Sequence, residues 1–185
     1  MARLAAQKET DRRRYSRLLE RTLFARPEFR RARTVLFYAA LPYEVDTSRM
    51  IDRARALGKR VCVPVTRVRE RTLVVSELRD RERELRPGAY GVPEPAAPFV
   101  RPVDPATIDV AVVPGVGFDA QGHRLGHGQG YYDRLLRSLP STTARIGLAF
   151  PCQMLPRVPQ TTRDAILTAV LTAQTSASFF AAERP

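Results

Sequence analysis

The sequence predicts a single α/β domain with a mostly parallel sheet flanked by helices. Three observations carry that expectation. Short apolar, β-branched runs recur at 34–40, 60–65, 108–113, 144–150 and 165–171, which is the pattern of strands buried on both faces. Amphipathic stretches lie between several of them, and the first strand, helix and strand fit within some thirty residues, the size of a βαβ unit. A glycine-rich segment, Arg124 to Asp133, stands between a strand and a helix. With 185 residues, 44% of them hydrophobic, the chain suits one domain with a real core. That domain is expected over 1–185, with a basic N-terminal segment at 1–33 and a small, polar tail at 172–185 that frays.

Each element has its local reason. Residues 3–25 read as a helix, with Leu4, Tyr15, Leu18, Leu19, Leu23 and Phe24 on one stripe and arginines on the other faces, ended by Pro27. After the strand at 34–40 comes a loop, Leu41 to Val45. Asp46 or Thr47 then caps a helix that buries Ile51, Ala54 and Leu57 and stops at Gly58. Residues 73–76 are expected to form a strand and the mixed-charge run 77–86 a solvated short helix. The stretch 87–105 carries six prolines and reads as an extended surface connection. Tyr131 to Leu139 places Leu135, Leu136 and Leu139 at helical spacing. In such a fold, ligands are expected at the C-terminal ends of the strands.

Net charge is +12, and residues 1–33 hold 11 basic and 4 acidic residues, a net +7 of that total. A basic helix can bind phosphate backbones or be a solvated face. No RNP aromatics, zinc spacing or helix-turn-helix signal accompanies it, so nucleic acid is not the expected partner. The balance equally suits small anionic ligands. No apolar run reaches membrane-spanning length and no signal segment opens the chain. Cys62 and Cys152, far apart and in apolar surroundings, indicate neither a disulfide framework nor a cysteine metal site. The expectation is a cytoplasmic monomer without a membrane partner.

The segment Arg-Leu-Gly-His-Gly-Gln-Gly-Tyr-Tyr-Asp at 124–133 has glycine at every second position. Glycine lets backbone N–H groups approach an anion, and the helix N-terminus adds its positive dipole end. Arg124 is a fixed cation at the loop mouth. Asp133 could hold a metal that bridges phosphates, or could be only an acid stabilised by the helix start. The spacing is neither that of a Walker loop nor of a dinucleotide fingerprint, and a plain surface loop is the bland alternative. Glu44 could likewise be a solvated loop acid, and Tyr90 could pack under the proline-rich stretch. His123 and His127 are four apart, but the glycines break any helix that would aim both at one metal. Of the adjacent Tyr131 and Tyr132, one is expected in the core.

Four motifs in order resemble the 5-formyltetrahydrofolate cyclo-ligase (methenyltetrahydrofolate synthetase) family: Glu44-Val45-Asp46-Thr47, Gly91-Val92-Pro93-Glu94-Pro95, Pro114 to Asp119, and Arg124 to Asp133. The resemblance covers roughly residues 27–171. It implies a fold similar to the NagB/RpiA/CoA-transferase group, and conversion of 5-formyltetrahydrofolate to 5,10-methenyltetrahydrofolate with ATP and Mg²⁺, releasing ADP and phosphate. It implies that Arg124, Leu125, Gly126, His127, Gly128, Gln129, Gly130, Tyr131 and Tyr132 hold ATP. His127, Gly128, Gln129, Gly130 and Tyr131 would also face the folate. Ala39, Leu41 and Glu44 would line the folate pocket, Tyr90 would stack on the pterin, and Asp133 would ligate Mg²⁺. Glu44, Arg124 and Tyr132 are the candidates for catalytic roles.

Two positions depart from the family pattern. Lys8 and Arg12 have the spacing of an N-terminal Lys-x-x-Leu-Arg motif whose cations bind ATP, but Asp11 stands where leucine belongs. Gln160 falls where an ungapped alignment puts the family's other metal-ligand aspartate, and a neutral amide binds Mg²⁺ more weakly than a carboxylate. These departures leave two rival readings: a diverged folate or nucleotide binder without this reaction, or a protein associated with nucleic acid through its basic helix.

Overall fold

The computed structural model describes residues 4, 7–162, 164–173 and 179–180. Its centre is a seven-stranded sheet of order β11-β10-β9-β6-β1-β2-β3. The strands are β1 Thr34–Leu36, β2 Arg60–Arg67, β3 Thr72–Glu77, β6 Val110–Val113, β9 Ala144–Ala149, β10 Ala169–Thr172 and β11 Phe179–Phe180. The five inner strands run parallel, with Val35 opposite Val61 on one side and Val110 on the other. The two edge strands run antiparallel to their neighbours. Because β2 and β6 lie on opposite sides of β1, the chain changes direction of travel across the sheet at β1 and β6. That is where a parallel sheet opens a crevice beyond its carboxyl ends.

The helices are α1 Glu9–Ala25, α2 Pro27–Arg31, α3 Ser48–Ala56, α4 Arg81–Glu84 and α5 Tyr131–Ser138. Alternate strand residues feed two cores. One joins Val35, Val61, Val110 and Ile146 to Leu19, Leu23, Phe29, Met50 and Ile51 of the first three helices. The other joins Leu36, Ala111, Val113 and Val170 to Leu135, Leu136 and Phe118. A period of two along each strand therefore fixes which helices cover which face. Full burial of a side chain such as Phe29 or Leu136 is worth about 2 kcal/mol.

Several expectations are corrected. Helix α1 begins at Glu9, and of the stretch before it, residues 3, 5 and 6 lie outside the described residues. Leu18 and Leu57, expected on buried faces, are 43% and 61% exposed. Thr47 does not cap α3 with its side chain; its Oγ1 donates to the Tyr38 carbonyl at 2.6 Å, while Asp46 Oδ1 accepts from Ser48 N. The run 77–86 is helical only over α4. Its Glu84 is buried because Arg101 donates to both carboxylate oxygens at 2.9 Å, which a reading by charge density misses.

The proline-rich stretch is also more than a connection. It builds a hairpin from β4 Leu85–Pro87 and β5 Pro93–Pro95, with Glu94 buried. Proline is admissible there because this small sheet has free edges. A second unforeseen hairpin pairs β7 Gly117–Phe118 with β8 Arg124–Leu125. Residues 165–168 are not strand, which begins at Ala169. Phe179–Phe180 pair with β10, and residues 174–178 and 181–185 of the tail expected to fray lie outside the described residues.

Candidate functional site

Four segments converge beyond the carboxyl ends of the inner strands. They are 37–45 after β1, 114–130 after β6, the β4–β5 hairpin, and the start of α5. Gln153 ties this rim together, accepting from Phe150 N at 2.8 Å and donating to the Gly115 carbonyl at 2.6 Å. Asp119, fully buried, is a second tie. It accepts from the backbone of Gln121, His123 and Val158 and from His123 Nδ1, at 2.9–3.0 Å. Burial pushes its carboxyl up, but those donors prevail and hold it below the usual range. His123 is thereby a structural partner of Asp119 and no partner of His127, which is exposed.

Arg124 enters the site from β8. Its side chain is only 6% exposed and donates from Nη2 to Asp133 Oδ1 at 2.8 Å, while Nε is buried without a hydrogen-bond partner. The glycines make room for it. A Cβ on Gly115 would lie 2.6 Å from the Phe118 ring and 2.9 Å from Arg124 Cγ, and one on Gly126 would lie 2.8 Å from Arg124 Nη1. Gly128 and Gly130 hold φ of +80° and +66°, and Gly130 is the residue preceding α5. A buried guanidinium with an unsatisfied N–H beside a glycine loop has the chemistry to receive an anion.

Glu44 is folded back onto its own turn, its Oε2 accepting from Leu41 N at 2.9 Å. Burial raises its pKa above the ordinary glutamate value, an effect this hydrogen bond only partly offsets. Ala39 is buried, and Leu41, the donor to Glu44, is half-buried. The Tyr132 ring lies 5.6 Å from the Arg124 guanidinium carbon, and its phenol is pushed far up by burial, Glu44 and Glu94 despite the nearby Arg124. It is thus a neutral donor, and among the described residues its hydroxyl makes no hydrogen bond. Tyr38 is held neutral in the same way and donates to the Val45 carbonyl at 2.9 Å.

Tyr131 faces outward. Its hydroxyl meets that of Tyr90 at 3.3 Å, with the rings edge to face and their centroids 6.2 Å apart. Tyr90 is 65% exposed and adopts φ of +57°, a conformation costing about 1 kcal/mol for an aromatic residue. A strained, exposed ring aimed across the glycine loop is suited to stack on a planar ligand.

Three contributors were not read from the sequence. Glu94 stands in a quoted motif, yet its role is visible only in three dimensions: Thr66 Oγ1 donates to it at 2.5 Å, anchoring the Tyr90 hairpin to β2. Arg134 donates to the Gln129 carbonyl at 2.8 Å and to the Arg71 carbonyl at 2.7 Å, closing the glycine loop. Its position four residues after Gly130 was the available signal. Gln153 carried none. Lys8 and Arg12 stand at the start of α1, and among the described residues their side chains form no hydrogen bond or ion pair. Gln160 is exposed.

Elsewhere, concavities of 340 Å³ (around Phe24, Phe29 and Lys59) and 260 Å³ (around Asp109 and Ala144) lie at the opposite end of the strands. Among the described residues there is no cluster of three or more His, Cys, Asp or Glu that could hold a metal alone, and no helix is long and apolar enough to cross a membrane.

The fold and this rim place a buried cation, a glycine loop and an exposed aromatic pair at the switch point of an α/β sheet. The sequence model of the 5-formyltetrahydrofolate cyclo-ligase family matches residues 1–173. The chain is 34% identical over 143 residues to the 5-formyltetrahydrofolate cyclo-ligase of Escherichia coli, covering 76% of this chain and 78% of that one. It is 31% identical over 159 residues to a probable 5-formyltetrahydrofolate cyclo-ligase of Schizosaccharomyces pombe, covering 79% and 78%. The solved structure of Aquifex aeolicus 5,10-methenyltetrahydrofolate synthetase superposes with a TM-score of 0.83 at 28% identity, covering 100% of this chain and 90% of that one. The chain belongs to the 5-formyltetrahydrofolate cyclo-ligase family.

Proposed function

We propose that this protein closes 5-formyltetrahydrofolate to 5,10-methenyltetrahydrofolate in the presence of Mg²⁺, with ATP converted to ADP and phosphate. The observation that carries the reading is the buried Arg124 with its unsatisfied Nε, packed against Gly126 of the glycine loop and the Tyr132 ring. A formyl amide oxygen is a poor leaving group. Transfer of a phosphoryl group to that oxygen makes the formyl carbon open to attack by N10, and the phosphate then leaves. Such transfer needs mainly positioning and neutralised charge.

The residues divide this work. Arg124 and the backbone from Leu125 to Gly130 would cradle the phosphates. Glu44, held by Leu41, would accept hydrogen bonds from the pterin edge, with Ala39 and Leu41 beside it, while Tyr90 and Tyr131 would cover the ring. Tyr132, kept neutral, would donate to an oxygen on which charge develops. Asp133 is a single carboxylate whose Oδ1 is already paired. That suits Mg²⁺, which takes one or two carboxylates together with phosphate oxygens and water, better than a metal needing a full protein cage. Bound there, Mg²⁺ would neutralise phosphate charge. Lys8 and Arg12 would add cations from the start of α1, as the resemblance implies.

The reading is tested by titration. 5-Formyltetrahydrofolate should bind the wild type and bind at least tenfold more weakly to Glu44→Ala, whereas ATP with Mg²⁺ should weaken similarly only in Arg124→Ala. Identical folate affinity in Glu44→Ala, with the protein folded, would remove the pocket assigned here.

A further inference from the structure

Beside the glycine loop stands a feature that the reaction does not use. The tip of the β2–β3 hairpin, 67–72, presents Arg67, Arg69 and Arg71, all exposed. Among the described residues their side chains form no ion pair or hydrogen bond, and Glu70 is the only acid in the turn. The tip is not left to wander. Arg71 adopts φ of +53°, a left-handed conformation that arginine disfavours, and its carbonyl is held by Arg134 Nε at 2.7 Å. The same Arg134 side chain lies over the Tyr131 ring at 5.5 Å and binds the Gln129 carbonyl. The tip is therefore fixed to the outer wall of the pocket.

The loop consequently has two cationic poles on different sides of the α5 start. Arg124 lies 5.6 Å from the centre of the Tyr132 ring, whereas Arg134 lies 5.5 Å from that of Tyr131 and holds the Arg71 carbonyl. The inner pole is buried and short of hydrogen bonds, which suits a phosphate. The outer pole is exposed and carried on long side chains, which suits carboxylates on a flexible chain passing out of the pocket.

We infer that Arg67, Arg69 and Arg71 form the subsite for the glutamate tail of the folate, gripping the carboxylates that extend beyond the Tyr90–Tyr131 pair. The inference rests on the folate reading above. It makes the hairpin a determinant of affinity for the number of glutamyl residues and not a part of the chemistry.

The test is binding of 5-formyltetrahydrofolate carrying one or five glutamyl residues to the wild type and to Arg69→Ala/Arg71→Gly. Glycine at 71 keeps the left-handed backbone while removing the charge. Exposed ion pairs are individually weak, so the expected loss is about threefold for the monoglutamate and about tenfold or more for the pentaglutamate, shrinking as salt is raised. ATP affinity should stay as in the wild type, and Arg69→Lys/Arg71→Lys should recover most of the pentaglutamate binding. Equal affinities of wild type and variant for the two folates, or an equal loss for ATP, would overturn the subsite. If the wild type binds neither folate, it is the cyclo-ligase reading that fails, and the subsite with it.

Discussion

At residue scale, the Arg124–Asp133 pair and Glu44 carry opposite electrostatic signatures. Arg124 has one counter-charge and one orphaned N–H, so removing the carboxylate leaves a buried cation with nothing to face it. Asp133→Ala should lose about 3 kcal/mol of stability, lowering the midpoint of thermal unfolding by about 8 °C. Inorganic triphosphate should restore a larger part of that loss than it adds to the wild type; a variant as stable as the wild type would show that the pair is not a structural clamp. Glu44 works the other way. Its folded pKa is raised above the ordinary value of 4.5, so the folded state holds the proton more tightly than the unfolded one. Its contribution to stability is full below the unfolded pKa and is lost as pH rises through the folded pKa. Glu44→Gln should therefore be less sensitive to pH in that acidic window, and relatively more stable than wild type above it, measured by urea unfolding across pH. Because the charged form is the acceptor proposed for the pterin, kcat/KM should fall on acidification at a pH above the usual glutamate range.

At the scale of elements, the site is made by segments that are not regular strand or helix: the turn after β1, the glycine loop and the Tyr90 tip of the β4–β5 hairpin. Close approach explains the glycines better than flexibility does. Gly115→Ala drives a methyl group into the Phe118 ring and the Arg124 stem and should destabilise by about 2 kcal/mol in chemical denaturation, with ATP affinity falling as Arg124 is displaced. The hairpin is anchored through Glu94, whose carboxyl group fills the space that a side chain at Gly88 would need. Thr66→Val removes the donor while preserving shape. It should raise the KM for folate severalfold through a less well-placed Tyr90 and leave the KM for ATP unchanged; a parallel rise in both would mean that the hairpin supports the whole rim.

Across the whole molecule, what was legible in the sequence was whatever depends on local pattern. Val35, Val61, Val110 and Ile146 announce buried strands because parallel strands covered on both faces must be apolar throughout. Gly126, Gly128 and Gly130 before Tyr131 announce a loop feeding a helix. Glu94, Arg134 and Gln153 were not legible, because each acts on a partner distant in sequence or on a backbone carbonyl, and neither leaves a periodic trace. Leu57 misled for the opposite reason: its spacing fits the buried stripe of α3, but it lies past the last helical turn and points to solvent. The proposed arrangement, an inner cation to receive phosphate beside an outer aromatic pair to cover the pterin, predicts a reaction that needs both substrates together. The most direct measurement is spectroscopic detection of 5,10-methenyltetrahydrofolate formed from 5-formyltetrahydrofolate, with ATP and Mg²⁺ omitted in turn. The account predicts product only when both are present, and a loss of at least a hundredfold in kcat/KM in folded Arg124→Ala. Well-folded wild-type protein that binds both ligands and forms no product would contradict it, and would mark a binder that has kept the pocket without the chemistry.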